Sequence, residues 1–227
     1  MMEEIKTLRI NGVLLSAPAT STILDAALEN GLSIPTLCRF AGLQPVGACR
    51  LCLVEIMGRN RLQPACTTLV EEGMVIQTDT PRLQKYRRMI IELLLSEGNH
   101  DCGRCEADGT CELQSLADRL GADKTRFGPL RFRSGKDTTH EHFLADRSLC
   151  VLCTRCVRVC GSVEKAHTLN VASRGAASFI TADLGSPWGS SRTCTSCGKC
   201  VRACPTGALM ERPRTSGATK KNKSASR

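Results

Sequence analysis

Two cysteine runs of one form leave little freedom in what the second half of this chain can fold into. The first reads Cys150-Val-Leu-Cys153-Thr-Arg-Cys156-Val-Arg-Val-Cys160. The second reads Cys194-Thr-Ser-Cys197-Gly-Lys-Cys200-Val-Arg-Ala-Cys204 and is followed by Pro205. Both have the spacing C-x2-C-x2-C-x3-C, which suits cubane iron–sulfur clusters. Three cysteines in a tight loop reach three corners of one cube, and the fourth, a helical turn later, points away. Each run therefore completes its partner's site. Cys204 joins Cys150, Cys153 and Cys156, and Cys160 joins Cys194, Cys197 and Cys200. Tetrahedral zinc is the plainer use of clustered cysteines, but it favours separated C-x2-C pairs over four cysteines in so short a run.

Composition makes metal a large part of the fold. Aromatic residues are 3% of the 227, with one Trp and one Tyr, so an ordinary packed core is thin. Fifteen cysteines must then serve as disulfides or as ligands. Disulfides require export, and the opening Met-Met-Glu-Glu-Ile-Lys is followed by no long apolar run. The stretch from Met89 to Leu95 is broken by Glu92 and is too short to span a bilayer. The expectation is a soluble, cytoplasmic chain with no membrane span, its thiols reduced and metal-bound. A formal charge of +9 raises the question of a nucleic-acid partner. Clusters with their thiolates would contribute about −7 when oxidised, leaving about +2. Much of the remainder sits in residues 211–227, where six Lys or Arg stand against one acid. That Ser/Thr/Gly/Pro-containing tail reads as disordered, and no nucleic-acid partner is expected.

The N-terminal part reads as a small mixed sheet crossed by a helix. Residues 4–10 alternate apolar and polar, and Asn11-Gly12 marks a hairpin turn into Val13-Leu14-Leu15. Ser21 or Thr22 caps a helix through Ile23, Leu24, Ala27 and Leu28, closed by Asn30-Gly31. Further strands are expected at 51–57, 61–66 and 74–78. Cys38, Cys49, Cys52 and Cys66 have the spacing C-x10-C-x2-C-x13-C, which is not the plant-type C-x4-C-x2-C. A central C-x2-C with two distant cysteines still suits a [2Fe-2S] cluster, whose irons each need two thiolates; a four-cysteine zinc site is the alternative. Gly42, Gly47 and Ala48 favour the cluster, because small residues let backbone amides approach inorganic sulfur.

Thr80-Pro81 marks the N-cap and first residue of a helix with an apolar face of Leu83, Tyr86, Met89, Ile90, Leu93 and Leu94, ended by Gly98-Asn99. Cys102, Cys105 and Cys111 follow. The first group uses four cysteines and the two runs use eight, so three remain for a cubane that needs four ligands. His100, two residues before Cys102, is the expected fourth ligand, with Asp101 or water as alternatives. His140, His142 and His167 read as surface residues, the first two as a solvated pair in a polar linker. Residues 112–120 read as a short helix. The stretch 161–193 reads as an insertion with a strand near Phe179-Ile180, packed against the remainder of the chain or a partner. The expected organisation is a [2Fe-2S] domain (1–80), a His/Cys-ligated [4Fe-4S] segment (81–121), a connector (122–145), a two-[4Fe-4S] domain (146–210) and the tail (211–227). The expected cofactors are one [2Fe-2S] cluster and three [4Fe-4S] clusters.

In this order the chain resembles the N-terminal part of the large iron–sulfur subunit of respiratory complex I, with its His/Cys segment ending Cys111-Glu-Leu-Gln. The first cysteine run, Glu164-Lys-Ala-His167-Thr, and Pro187-Trp188-Gly189 through Cys200 make it more similar to the diaphorase gamma subunit of bidirectional, NAD-reducing nickel–iron hydrogenases. The sequence stops soon after the last cluster, as that subunit does, whereas the complex I subunit continues into a molybdopterin-type domain. Complex I relatives have H-x3-C; His100-x-Cys102 is the shorter spacing of the hydrogenase subunit. The resemblance covers about residues 4–210. It implies an α+β fold: an N-terminal β-grasp two-iron ferredoxin domain, a small helical His/Cys cluster segment and a C-terminal two-cubane ferredoxin-like domain.

No Gly-rich phosphate loop follows a strand, so the sequence offers no place for NAD or flavin, and no cysteines remain for nickel. By elimination the chain carries electrons, with no catalytic residue or substrate-converting site of its own. The resemblance implies the endpoints: a flavin/NAD-binding diaphorase subunit and a nickel–iron hydrogenase small subunit, in a hetero-oligomer. Three other readings stand beside it. They are an equivalent relay in an NAD-linked formate dehydrogenase or complex I-like enzyme, a zinc-dependent nucleic-acid-binding protein, and a stand-alone ferredoxin.

Overall fold

The structure, a computed structural model, describes residues 4–122, 125–128 and 135–212. The tail beyond Arg212, expected to be disordered, lies outside the described residues. Strands β1 (Ile5–Ile10) and β2 (Val13–Pro18) pair antiparallel along their full length around Asn11-Gly12. Both turn residues have positive φ, which matches the twist of a two-residue hairpin. Helix α1 (Ile23–Glu29) starts at Thr22, whose hydroxyl accepts the Asp25 N–H at 3.1 Å. Strands β3 (Leu53–Ile56), β4 (Gln63–Pro64) and β5 (Val75–Gln77) complete a sheet of order β2-β1-β5-β3-β4, with β5 parallel to β1. Alternation buries Leu8, Ile10, Leu15 and Ile76 with Ile23, Leu24 and Ala27 of α1. Each such Leu or Ile side chain contributes about 1.5–3 kcal/mol. This is the β-grasp arrangement that the resemblance implied.

Helix α2 (Pro81–Glu97) opens at Thr80, whose Oγ1 accepts the Leu83 N–H at 3.2 Å. Its inner face differs from the expected stripe. Tyr86 is exposed, while Leu83, Arg87, Ile91, Glu92 and Ser96 are buried. The charges are buried because they are partnered. Arg87 donates to the Leu51 and Leu53 carbonyls at 2.9 and 2.8 Å, and Glu92 accepts from Arg88 and Arg126 at 3.0 and 2.7 Å. Apolar spacing cannot reveal a charge held this way. Helix α3 (Glu112–Arg119) packs on α2 over a second core of Leu37, Leu51, Ile91, Leu113 and Leu116.

The stretch expected as a connector contributes β6 (Lys136–Asp137) and most of β7 (Phe143–Asp146). With β10 (Leu209–Glu211) they form a sheet of order β10-β7-β6, so strand β10 reaches into the first residue of the expected tail. The composition of this stretch is polar, but Phe143 and Asp146 are buried, and ladder pairing supplies what hydrophobicity does not. The two cysteine runs lead into α4 (Arg155–Arg158) and α5 (Lys199–Ala203). Between them β8 (Leu169–Ala172), a strand not expected from the sequence, pairs antiparallel with β9 (Phe179–Ala182), which lies at the expected strand position. The third core, with Phe143, Val159, Trp188 and Leu209, also takes in Phe40 and Leu43. The loop that carries Cys38 and Cys49 thus reaches both other cores. No helix among the described residues is long and apolar enough to cross a membrane.

Candidate metal centres

Cys38, Cys52 and Cys66 are buried and Cys49 is half-buried, with Cys52 and Cys66 beside the paired ends of β3 and β4. The thiols meet in two pairs. A hydrogen bond from Cys49 lowers the pKa of Cys38, helped by the Cys49 and Ala48 amides and by Arg158; burial opposes it. The same bond and burial raise Cys49. Cys66 is lowered in the same way by Cys52, which is itself raised. The Leu37 N–H also points at the Cys49 sulfur, at 3.4 Å. Gly47 and Arg50 have positive φ, so left-handed turns flank the central cysteines.

Cys102 opens a 3₁₀ turn, Cys105 closes it, and Cys111 is the N-cap residue of α3. Burial raises the Cys102 pKa, and Cys105 with Asp108, Asp118 and Asp101 adds to it. Burial also raises Cys111, against amides of the first turn of α3. Cys102 and Cys111 therefore both sense the neighbouring Cys105. His100 is half-buried at the end of α2. Its pKa is lowered by burial, and a hydrogen bond to the Leu94 carbonyl opposes the shift. A Cβ on Gly98 would stand 2.4 Å from its Nε2 and 2.6 Å from the Ser148 carbonyl, so only glycine fits beside this ring. His100 thus lies against the end of α2, at the Leu94 carbonyl and Gly98.

The two runs repeat one backbone form. Leu152 and Thr154 flank Cys153 with positive φ, as Ser196 and Gly198 flank Cys197. Such alternation turns successive amides inward, making a concavity that suits an anionic group. Each left-handed residue other than glycine costs about 1–2 kcal/mol, so the surrounding packing holds the loops in this shape. One cavity is bordered by Cys150, Cys153, Cys156 and Cys204, and a second by Cys160, Cys194, Cys197 and Cys200. The fourth cysteine of each run therefore faces the other run's cavity. Cys160 lies in a π-helical turn, Val159–Val163, which re-aims it at the end of α4. Burial pushes Cys153 and Cys200 up to about 12, with Cys204 adding to the first and Cys160 to the second. Among the described residues no three His, Cys, Asp or Glu side chains close in as they would around a single metal ion.

Among the described residues two buried side-chain N–H groups lack partners: Arg155 Nε, next to Cys156, and Trp188 Nε1, whose ring borders both cavities. A buried donor left unpaired costs about 1–3 kcal/mol, and a cluster's sulfurs are acceptors that would relieve it. The cavities, with the Trp188 donor between them, fit two clusters. Several residues here are not among those the sequence singles out. Arg155 grips Glu112 with two hydrogen bonds of 2.5 and 2.8 Å, and the equivalent Lys199 meets Glu164. A base before the third cysteine of both runs is the available signal. His140 corrects a sequence expectation: it is buried rather than solvated, stacked on Phe143 and tilted against Trp188. The single Trp of the chain, with Phe143, supplies the apolar cover that a polar linker sequence does not suggest. His142 and His167 are exposed, as expected.

These features define an iron–sulfur protein with ferredoxin-type modules in series. Family models agree: a 2Fe-2S iron–sulfur cluster binding domain matches residues 5–81, an NADH-ubiquinone oxidoreductase-G iron–sulfur binding region matches 87–126, and a 4Fe-4S dicluster domain matches 149–209. A chain of NAD+-reducing [NiFe]-hydrogenase, solved in its H2-reduced state, superposes with a TM-score of 0.86 at 32% identity, over 94% of this chain and 90% of that one. The alpha subunit of the NADPH-Fe(3+) oxidoreductase of Geobacter sulfurreducens is 38% identical over 91% of this chain. The HndD subunit of the NADP-reducing hydrogenase of Solidesulfovibrio fructosivorans is 36% identical over 90%, and the mitochondrial 78 kDa subunit of the NADH-ubiquinone oxidoreductase of Candida albicans is 32% identical over 90%. The chain spans only 24%, 36% and 28% of those three relatives' lengths. It belongs to the family of iron–sulfur electron-transfer subunits shared by NAD(P)-linked hydrogenases and complex I-like oxidoreductases.

Proposed function

We propose that this chain relays electrons between a flavin/NAD-binding diaphorase subunit and a nickel–iron hydrogenase small subunit, in a cytoplasmic hetero-oligomer. The observation that carries the reading is the likeness to a chain of NAD+-reducing [NiFe]-hydrogenase over nearly the full length of both. The clusters, when bound, supply one-electron chemistry; the residues of this chain hold them, exclude water and tune them. It has no substrate-converting site of its own.

The ligand set is one [2Fe-2S] cluster and three [4Fe-4S] clusters. The thiol pairs support a two-iron cluster with Cys38 and Cys49 on one iron and Cys52 and Cys66 on the other. Cys150, Cys153, Cys156 and Cys204 hold one cubane, and Cys160, Cys194, Cys197 and Cys200 hold the next. Cys102, Cys105 and Cys111 hold the last, with His100. A ring N–H of His100 donated to the Leu94 carbonyl leaves the other nitrogen free as a ligand, the usual support for a metal-bound imidazole. Raised thiol pKa values keep Cys153 and Cys200 protonated in the metal-free chain, so loading displaces their protons.

The likeness to the 78 kDa NADH-ubiquinone oxidoreductase subunit favours a second reading, the same relay in a complex I-like enzyme. Mild affinity purification from the native host, with metal and flavin analysis, separates the two. Co-purification with flavin and nickel is expected. Flavin without nickel would favour the second reading, and a free monomer would contradict both.

A further inference from the structure

His140 is 6% exposed, its ring centroid 4.8 Å from that of Phe143 and 5.1 Å from that of Trp188. Three polar contacts of the ring define its chemistry. The backbone N–H of His142 donates to Nδ1 at 3.0 Å, so Nδ1 presents a lone pair and the proton of the neutral ring is on Nε2. Nε2 lies 3.7 Å from the Cys194 sulfur and 3.3 Å from Ser196 Oγ. A ring that only filled space would not need a donor aimed at a thiol.

The placement is built into the chain. A Cβ on Gly189 would come within 2.1 Å of the Thr139 carbonyl oxygen and 2.9 Å of the His140 nitrogen, so Gly189 permits the two segments to touch. The Trp188 N–H donates to Asp137 Oδ2 and the Gly189 N–H to Thr139 Oγ1, each at 2.8 Å. Pro187-Trp188-Gly189 thus clamps the turn that carries His140. That gives this tripeptide a local purpose.

We propose that His140 is a positioning residue that donates through Nε2–H to the Cys194 thiolate and raises the reduction potential of the cubane held by Cys160, Cys194, Cys197 and Cys200. The inference rests on the ligand set proposed above. One electron enters on reduction and no bond is made or broken. A donor to a ligand sulfur stabilises the more negative, reduced form, so its loss lowers the potential.

The test is an EPR-monitored redox titration of the anaerobically reconstituted full chain, the relevant signal being the one lost in Cys197→Ser. His140→Phe keeps a stacking ring without the donor, and His140→Gln returns an N–H near the Nε2 position. His140→Phe should retain its iron and lower this cluster's potential by about a tenfold change in its reduction equilibrium, or 59 mV for one electron. The other clusters should stay in place, and His140→Gln should recover much of the shift. A full iron complement with an unmoved potential in His140→Phe would overturn the proposal. So would the same loss of potential, or of the cluster, in both variants. Zinc or no iron in the unmutated chain would instead defeat the ligand set itself.

Discussion

The two cysteine runs share a spacing, a pair of left-handed turns and a base before the third cysteine, yet they are tied to different things. In the first, buried Arg155 holds Glu112 of α3, and Arg158 donates to the carbonyls of Cys38 and Gln44 at 2.5 and 2.8 Å. The Glu112 N–H adds a bond to the Pro205 carbonyl at 2.8 Å. In the second, Lys199 meets Glu164 and, among the described residues, Arg202 reaches the Cys197 carbonyl of its own run, at 3.4 Å. The bases of one run bind the module to the other two cysteine segments, and those of its repeat bind the module to itself. A duplicated ligand loop has thus become asymmetric by changing the partners of its cations while its thiols keep their spacing.

The largest effect should come from breaking the exchange between the runs. Cys204→Ala should remove or degrade the cubane of Cys150, Cys153 and Cys156 and spare the other, and Cys160→Ala should do the converse. Mössbauer and EPR spectra of the reduced protein would distinguish them, and an effect confined to the mutated run would refute the exchange. Next is His100→Ala, which should leave the third cubane prone to lose iron without disturbing either cavity. His100→Cys should keep that cluster and make it harder to reduce, because a thiolate adds negative charge where imidazole has none. Unchanged iron and potential in His100→Ala would point to Asp101 or water.

Smaller effects sharpen the asymmetry. Glu112→Gln leaves the Arg155 cation buried without its counter-charge and should destabilise the holoprotein by about 3 kcal/mol, the low end for a broken buried pair because Glu112 is half exposed. Lys199→Gln at the equivalent pair, where the base is 37% exposed rather than 4%, should change stability far less, and chemical denaturation of both variants checks the order. Arg158→Gln should cost about 1–2 kcal/mol through two lost carbonyl bonds and lower the potential of the [2Fe-2S] cluster by removing a nearby cation. Arg202→Gln should do neither, and equal effects from the two would erase the distinction.

What was legible in the sequence follows from what is local. The hairpin at Asn11-Gly12, the caps at Thr22 and Thr80 and the helix after Cys111 each depend on a few neighbouring residues, and each appears where expected. Grouping cysteines by spacing draws on the same locality, since a tight loop fixes which thiols face one way. The failures involve partners distant in sequence. Arg87 and Glu92 sit inside α2 because carbonyls and guanidinium groups from elsewhere meet them. His140 is buried because Gly189 allows a turn far along the chain to close over it. A polar linker and a polar cover have the same composition, and only the second has something to cover.

The central claim is that sixteen side chains, fifteen cysteines and His100, hold four clusters of two sizes. Iron and sulfide assays with Mössbauer spectroscopy on the anaerobically reconstituted chain test it most directly. The account predicts about 14 iron atoms per chain, as one two-iron and three four-iron clusters. Zinc in place of iron, or fewer than three cubanes after full reconstitution, would contradict it.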